Sequence, residues 1–271
     1  MKIIGIDIAP SKPSHIFCSG GPHEKKACQL SEFLDELSAL DEDVLICWDS
    51  PLTGTPDPDS DRFRNGDHTQ RRIEAFFNRG EWGFKVPKGI SVLGFSGCSH
   101  WAISRRLVGL PRVGRWDRTW DDLPFKLVSE GNCPTGPGHY IVEVHPAVAL
   151  WLWCRCNTSD RTEGWEYKKN NDVLERMWKE LYKRFSDVLL PSGASLSDSG
   201  FEPENDDELD CFVAWLLGVL WCRESDEVIL LGNRATGSML LPNVEGLQEQ
   251  FLKSLDVDPG RDDVPLSRHQ S

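Results

Sequence analysis

The sequence lacks the features of a membrane-spanning, a secreted and a zinc-binding protein. Its longest apolar runs, Ala147–Cys154 and Cys211–Cys222, fall short of the roughly 18 to 20 residues that a bilayer requires. Asp7 interrupts the first apolar run before it reaches the length of a signal core, so we expect no secretory signal. None of the nine cysteines forms a Cys-x-x-Cys pair, which argues against a zinc site. We therefore expect a cytoplasmic chain with reduced thiols and no membrane association.

Charge is distributed unevenly along the chain. The 271 residues carry a net charge of −13, which repels phosphate backbones when averaged over the surface. Between residues 62 and 118, however, twelve Lys or Arg residues accompany only four acids, and aromatic residues are interspersed among them. This pattern, the basic block, suits a single nucleic-acid strand that needs neutralisation and stacking. A solvated face over a small core explains the composition equally well, and both interpretations stay open.

Two apolar segments that end at aspartates predict the strands around which the fold is organised. The first contains Asp7 near its carboxyl end, and the second, Val44–Trp48, runs directly into Asp49. Apolar residues at helical spacing between 29 and 40 predict a crossover helix, which makes the two strands parallel. Asp7 and Asp49 then lie at one sheet edge, where open α/β sheets form their sites. Such an aspartate needs either a local hydrogen-bonding shell or a metal.

A late helix supplies two further carboxylates. Asn205 and Glu208 fit a variant capping box, so the helix is predicted to begin there. Asp207 and Asp210, three residues apart, then project from one face of its first turns. Asp210 is the more informative of the two, because it lies where the helix becomes apolar on most faces.

The remaining segments predict one large domain, residues 1–245, with an insertion at about 56–138. Residues 246–271 are predicted to be the end of a terminal helix and a disordered polar tail. Residues 121–138 and 232–242 are predicted as loops because of their glycines and prolines. Glu143 interrupts an apolar strand, so it is either the partner of a basic side chain or a member of the site.

Carboxylates that converge from three segments need cations. Hard divalent ions such as Mg²⁺ or Mn²⁺ prefer oxygen ligands, and two of them about 4 Å apart can activate a water and stabilise a leaving phosphodiester oxygen. The sequence therefore predicts a centre of two such ions, with the basic block holding an anionic substrate.

The order of five motifs resembles the domain of unknown function 429 family, a group of predicted nucleases in the RNase H-like superfamily. These motifs are Gly5-x-Asp7-x-Ala9, Asp49-Ser-Pro-Leu52, the Arg-rich segment 62–72, Val142-Glu-Val-His-Pro-Ala147 and Asp206-Asp-Glu-Leu-Asp210. The resemblance covers most of residues 1–245. It implies an α/β, RNase H-like fold with a mixed central sheet, helices on both faces and a basic insertion.

The resemblance also implies roles for the acids. Asp7 would bridge two Mg²⁺ or Mn²⁺ ions, Asp49 would hold one of them, and Asp207 with Asp210 would complete the second. Glu143 matches the Glu of the family's strand motif, with a less specific catalytic role.

The leading hypothesis is thus a metal-dependent nuclease that binds DNA or RNA. Nucleic acid is expected to contact five basic residues, namely Lys12, Arg62, Arg64, Arg71 and Arg72, and a homodimer is a further expectation. The first alternative is an inactive RNase H-like scaffold that binds nucleic acid or protein. The second, an actin-like ATPase or sugar kinase, is disfavoured because the chain has no convincing second glycine-rich phosphate hairpin.

Overall fold

A computed structural model describes most of the chain. The described residues are 1–9, 13–18, 21–25, 27–53, 71–78, 83–90, 92, 125–154, 165–190 and 192–255. Most of the predicted insertion and the predicted polar tail after residue 255 lie outside these ranges.

A six-stranded mixed sheet forms the centre of the described chain, in the order β3-β2-β1-β4-β6-β5. Its strands are β1 (Lys2–Asp7), β2 (Ser14–Cys18), β3 (Gly21–Lys25), β4 (Val44–Asp49), β5 (Lys126–Val128) and β6 (His139–Glu143). Strands β1, β4, β6 and β5 run parallel, whereas β2 and β3 continue the sheet antiparallel beside β1. The predicted parallel pairing of the first strand with the Val44 strand is confirmed.

Helices cover both faces of this sheet, so the predicted α/β class with a mixed sheet is confirmed. The described helices are α1 (Ala27–Ser38), α2 (Arg72–Asn78), α3 (Pro146–Cys154), α4 (Asn171–Phe185), α5 (Leu196–Ser199), α6 (Asp206–Cys222) and α7 (Leu247–Leu255). A 3₁₀ turn, Tyr167–Lys169, precedes α4, and a separate hairpin joins β7 (Val228–Asn233) to β8 (Gly237–Pro242). Among the described residues, no helix combines the length and apolarity needed to cross a membrane.

Side chains of β4 alternate between two apolar clusters, one on each face of the sheet. Ile46 and Trp48 pack in the cluster that contains Leu34 of α1. Leu45 and Cys47 pack in the larger cluster, which contains α6. Because the period of a strand is two residues, this alternation assigns every position of β4 to a face. Asp49, two residues after Cys47, therefore faces α6.

Helix α6 lies directly on the backbone of the sheet because glycines remove the intervening side chains. A Cβ added to Gly5 of β1 would lie 2.1 Å from the Cys211 carbonyl oxygen and 2.4 Å from the Trp215 nitrogen. A Cβ added to Gly218 of α6 would lie 2.5 Å from the Cys47 sulfur. The amino-terminal turns of α6 are thus held close to the carboxyl end of β1.

Two segments that the sequence predicts as loops contain strands, and these predictions are wrong. Strand β5 lies within 121–138 and pairs parallel with β6. Strand β8 lies within 232–242 and pairs with β7, and Leu240 also bridges to Val144 beside β6. The turn between β7 and β8 explains the wrong prediction at β8, because its residues are typical of loops. In this turn the Asn233 side chain accepts hydrogen bonds from the Ala235 and Thr236 backbone N–H groups.

The terminal helix packs against the domain. Leu247 and Phe251 of α7 are buried, and the Phe251 ring contacts the Phe76 ring of α2 at 5.3 Å between centroids. Helix α7 therefore belongs to the same apolar core as α6.

Replacing Gly5 with alanine tests the close approach of α6 to β1. The added methyl group collides with backbone atoms, so α6 must shift, and overpacking of this kind costs about 1–3 kcal/mol or more. We expect a lower free energy of unfolding in urea denaturation. The control is Gly136→Ala, at an exposed glycine whose added Cβ would meet nothing closer than the Tyr140 hydroxyl at 3.7 Å. Equal stability of both variants would contradict this packing.

Candidate functional site

Asp7 and Asp49 are neighbours at the end of two parallel strands. The register pairs Asp7 of β1 directly with Asp49 of β4. Asp7 lies two residues after Gly5, which faces α6, so the pleat turns both carboxylates toward α6. The sequence prediction that these two side chains share one sheet edge is confirmed.

Helix α6 brings a third carboxylate to this pair. Its amino terminus is capped by Asn205, whose side chain accepts a hydrogen bond from the Glu208 N–H at 2.9 Å. One turn later Asp210 is fully buried. One oxygen from each of Asp7, Asp49 and Asp210 lies within 4.8 Å of the others. This oxygen cluster has the composition that hard divalent cations prefer.

A second group of possible ligands shares Asp7. The register of β1 with β2 pairs Asp7 with His15. Asp207 of α6 lies near the His15 ring. Ligand atoms of Asp7, His15 and Asp207 also lie within 4.8 Å of one another, with the His15 Nδ1 3.9 Å from an Asp207 oxygen. Asp207 and Asp210 therefore reach different groups, whereas the sequence analysis assigned both to one ion.

Burial and like charge make the carboxylate cluster electrostatically costly. Burial, and then the negative charges of Asp210 and Asp49, raise the pKa of Asp7 well above its usual value. Burial, followed by the charge of Asp210, raises the pKa of Asp49 to about 8. A bound cation would remove this cost, which is the physical reason to regard the cluster as a candidate metal centre.

Two side chains from the 3₁₀ turn contact Asp210. The buried Tyr167 hydroxyl donates a hydrogen bond of 2.6 Å to the Asp210 Oδ1. The Lys168 ammonium lies 2.7 Å from the Asp210 Oδ2. Both oxygens of Asp210 therefore have a protein partner in this structure.

Three residues of this site were not predicted from the sequence: His15, Tyr167 and Lys168. His15 carried a usable signal, because it begins the short segment His15–Cys18, and antiparallel pairing of this segment with β1 brings it beside Asp7. Tyr167 and Lys168 follow a stretch without apolar periodicity and reach the site only through the tertiary fold.

Glu143 belongs to neither ligand group and binds an arginine, as one of the two sequence interpretations predicted. Its neighbours Val142 and Val144 face the α6 cluster, so the pleat directs Glu143 toward the opposite face. Its carboxylate accepts hydrogen bonds from Arg71 at 2.5 and 2.7 Å and from the Leu52 N–H at 2.7 Å. The structure thus gives Glu143 a role in fixing the loop after β4, and the less specific catalytic role that the resemblance implies for it stays a prediction.

Arg71 is buried rather than exposed to a substrate. Its side chain also binds Glu74, whose carboxylate accepts from the Arg71 Nε at 2.5 Å and from its backbone N–H at 2.6 Å. Its guanidinium further donates to the Thr53 carbonyl at 2.7 Å. With an exposed fraction of 1 %, Arg71 is not accessible to a phosphate in this structure, which contradicts its expected contact with nucleic acid. Charge alone suggested that contact, and burial is what the sequence does not reveal.

For the other basic residues expected to bind substrate, the structure describes only the position of Arg72. Arg72 is partly buried and donates a hydrogen bond of 2.7 Å to the Leu255 carbonyl. Lys12, Arg62 and Arg64 lie outside the described residues. Arg71 and Arg72 therefore contribute to folding contacts, and the substrate role of the basic block stays a prediction.

Replacing Arg71 with methionine tests its structural role. The variant leaves Glu74 and Glu143 buried without their cation, and breaking a buried ion pair costs about 3–5 kcal/mol. We expect a large loss of stability in urea denaturation. The matched control is Lys179→Met, which removes an exposed partner of Glu175 and should change little. An Arg71→Met protein as stable as the parent, but weaker in nucleic-acid binding, would restore the substrate role.

Comparisons of this chain with protein-family models, with curated proteins and with solved structures gave no match. The resemblance in the five motifs is therefore a hypothesis that depends on the residues themselves.

Proposed function

We propose that this chain is a divalent-metal-dependent nuclease with an RNase H-like fold, of the kind that the domain of unknown function 429 resemblance implies. The observation that carries the proposal is the convergence of Asp7, Asp49 and Asp210, whose ligand atoms lie within 4.8 Å of one another. These acids come from two adjacent parallel strands and a helix packed on them. The strand order and the mixed sheet support the fold part of the proposal.

The donors of the two groups fit divalent ions. Asp7, Asp49 and Asp210 offer only carboxylate oxygens, which suit Mg²⁺ or Mn²⁺. The second group adds the His15 imidazole to the oxygens of Asp7 and Asp207, a set that suits Mn²⁺ better than Mg²⁺. Asp7 belongs to both groups, so it is the residue that would bridge two ions.

Protein side chains prepare this site for phosphodiester hydrolysis. When bound, a pair of divalent ions supplies an activated water and stabilises the leaving oxygen. Tyr167 fixes the orientation of Asp210 through its hydrogen bond to Oδ1. Glu143 and Arg71 hold the loop that follows Asp49 through hydrogen bonds to the backbone of Leu52 and Thr53. Basic residues of the insertion would bind the nucleic acid near an otherwise repulsive acidic site.

A second candidate function is an inactive scaffold of the same fold that binds nucleic acid or protein. One observation favours it: Tyr167 and Lys168 already bind both oxygens of Asp210. A scaffold needs no metal, so its thermal stability should not respond to Mn²⁺, whereas the stability of the nuclease should rise.

Isosteric replacement of Asp7 or Asp210 by asparagine tests the proposed metal function. Each variant loses one carboxylate ligand, so we expect Mn²⁺-dependent cleavage to fall by more than the roughly 100-fold that loss of an outer-sphere partner costs. The measurement is cleavage of single-stranded, duplex, hybrid and branched substrates. In parallel, saturating Mn²⁺ should raise the unfolding temperature of the parent by about 5 °C or more, and that of the Asp7→Asn variant much less.

Asp206→Asn is the matched control, since Asp206 lies in the same first turn of α6 and belongs to neither ligand group. It should keep the cleavage rate and the response to Mn²⁺. Cleavage at the parental rate by both the Asp7 and Asp210 variants would remove the nuclease assignment from this site. A parent whose stability ignores Mn²⁺ would favour the scaffold.

A further inference from the structure

Lys168 connects the buried acidic cluster with the surface. Its side chain is 46 % exposed, yet its ammonium lies 2.7 Å from the Oδ2 of Asp210, whose side chain is 1 % exposed. The cation therefore approaches the cluster from the solvent side. Lysine carries its charge at the end of a flexible four-carbon stem, so the ammonium can leave a partner without movement of the backbone.

The acids around Asp210 explain why a cation lies there. The positive charge of Lys168 opposes the effects of burial and like charge on both Asp7 and Asp49. The same carboxylates, Asp210 foremost, raise the pKa of Lys168 above its usual value. Lys168 thus acts as a counterion for the whole cluster and not for Asp210 alone.

Tyr167 and Lys168 differ in how firmly they are held. The Tyr167 ring is buried in the core formed with α6, so its hydrogen bond to Oδ1 is fixed by packing. The Lys168 side chain is 46 % exposed, and besides Asp210 its ammonium has a weak contact with the face of the Tyr167 ring, 5.8 Å from the centroid. A carboxylate oxygen has a second lone pair, so Oδ1 can keep Tyr167, whereas a divalent ion at Oδ2 would repel the neighbouring ammonium.

We propose that Lys168 is an exchangeable counterion of this site. Its ammonium occupies Oδ2 of Asp210 in the absence of metal and yields that oxygen to a divalent ion. This inference rests on the proposed metal function and states how the negative charge of the site is compensated before the metal binds.

The first test measures competition. Mn²⁺ binding is followed by isothermal titration calorimetry for the parent, Lys168→Gln and Lys169→Gln. Lys169 is the exposed neighbour of Lys168 in the same 3₁₀ turn and serves as the control. Removal of a competing cation should tighten Mn²⁺ binding about tenfold in Lys168→Gln, because the positive charge that pairs with Asp210 and repels the ion is gone. The control should bind like the parent.

The second test needs no variant and directly follows the release of the Lys168 ammonium from Asp210. Amine acetylation of the parent is quantified by peptide mass spectrometry with and without Mn²⁺, and Lys169 is the internal reference. Release from Asp210 should make Lys168 react faster when Mn²⁺ is added, while the rate at Lys169 stays constant. A fixed ammonium that merely repels the ion through space would tighten binding on removal but would show no change in acetylation.

The outcomes separate the two proposals. A parent that binds no Mn²⁺ in calorimetry would overturn the metal function. A parent that binds Mn²⁺ while Lys168→Gln binds no tighter, or while Lys168 acetylation ignores the metal, would overturn the exchange of Lys168 and leave the metal function standing. Tighter binding in Lys168→Gln together with faster acetylation of the parent supports both.

Discussion

Repulsion among buried and partly buried carboxylates at the end of β1 and β4 is the constraint on which the rest of this site depends. Asp7 and Asp49 are direct register partners, and Asp210 approaches them from α6. Burial and neighbouring negative charge raise the pKa of the first two. Such a cluster persists only where the surrounding fold forces it together and a proton or a cation compensates its charge. Lys168 supplies one positive charge, and we propose that divalent ions supply the rest.

The fold brings the three acids together because glycines stand where α6 packs on the sheet. Gly5 lets α6 lie against the backbone of β1, and Gly218 leaves room for the side chains of Cys47 and Ile3. This close packing brings the first turns of the helix to the acidic edge. Glu143 binds Arg71 and the backbone of the loop after β4, which fixes the chain that follows Asp49. Stability and function are therefore linked here, because the contacts that pack the core also set the distances between the acids.

Sequence patterns predicted the parts of the site that depend on strand ends and helix caps. A carboxylate at the end of each apolar strand, a crossover helix, and an acid at the point where α6 becomes apolar were enough to predict that Asp7, Asp49 and Asp210 meet. The sequence could not show that Arg71 is the partner of Glu143, because the pairing requires Arg71 to be buried. Burial of an arginine depends on the tertiary fold. Lys168 escaped prediction for the same reason, since its position follows from the buried ring of Tyr167.

The sequence pattern also gave wrong predictions at β5 and β8, two strands that are short or lie beside residues typical of turns. The glycines around Asn233 indicated a loop, yet Met239 and its apolar neighbours form β8 beside β7. Strand β5 is only three residues long and lies between segments rich in glycine and proline, so no periodicity marks it. The identity of the fold beyond an α/β class with a mixed sheet stays a proposal, because it depends on the order of motifs that are each weak.

Anomalous diffraction at the manganese edge, from a crystal soaked in Mn²⁺, would locate divalent ions at this edge of the sheet. We expect one peak between Asp7, Asp49 and Asp210 and a second between Asp7, His15 and Asp207, with the Lys168 ammonium moved away from Asp210. Crystals without a peak at this edge, in which Lys168 still binds Asp210, would show that the acids form no metal centre.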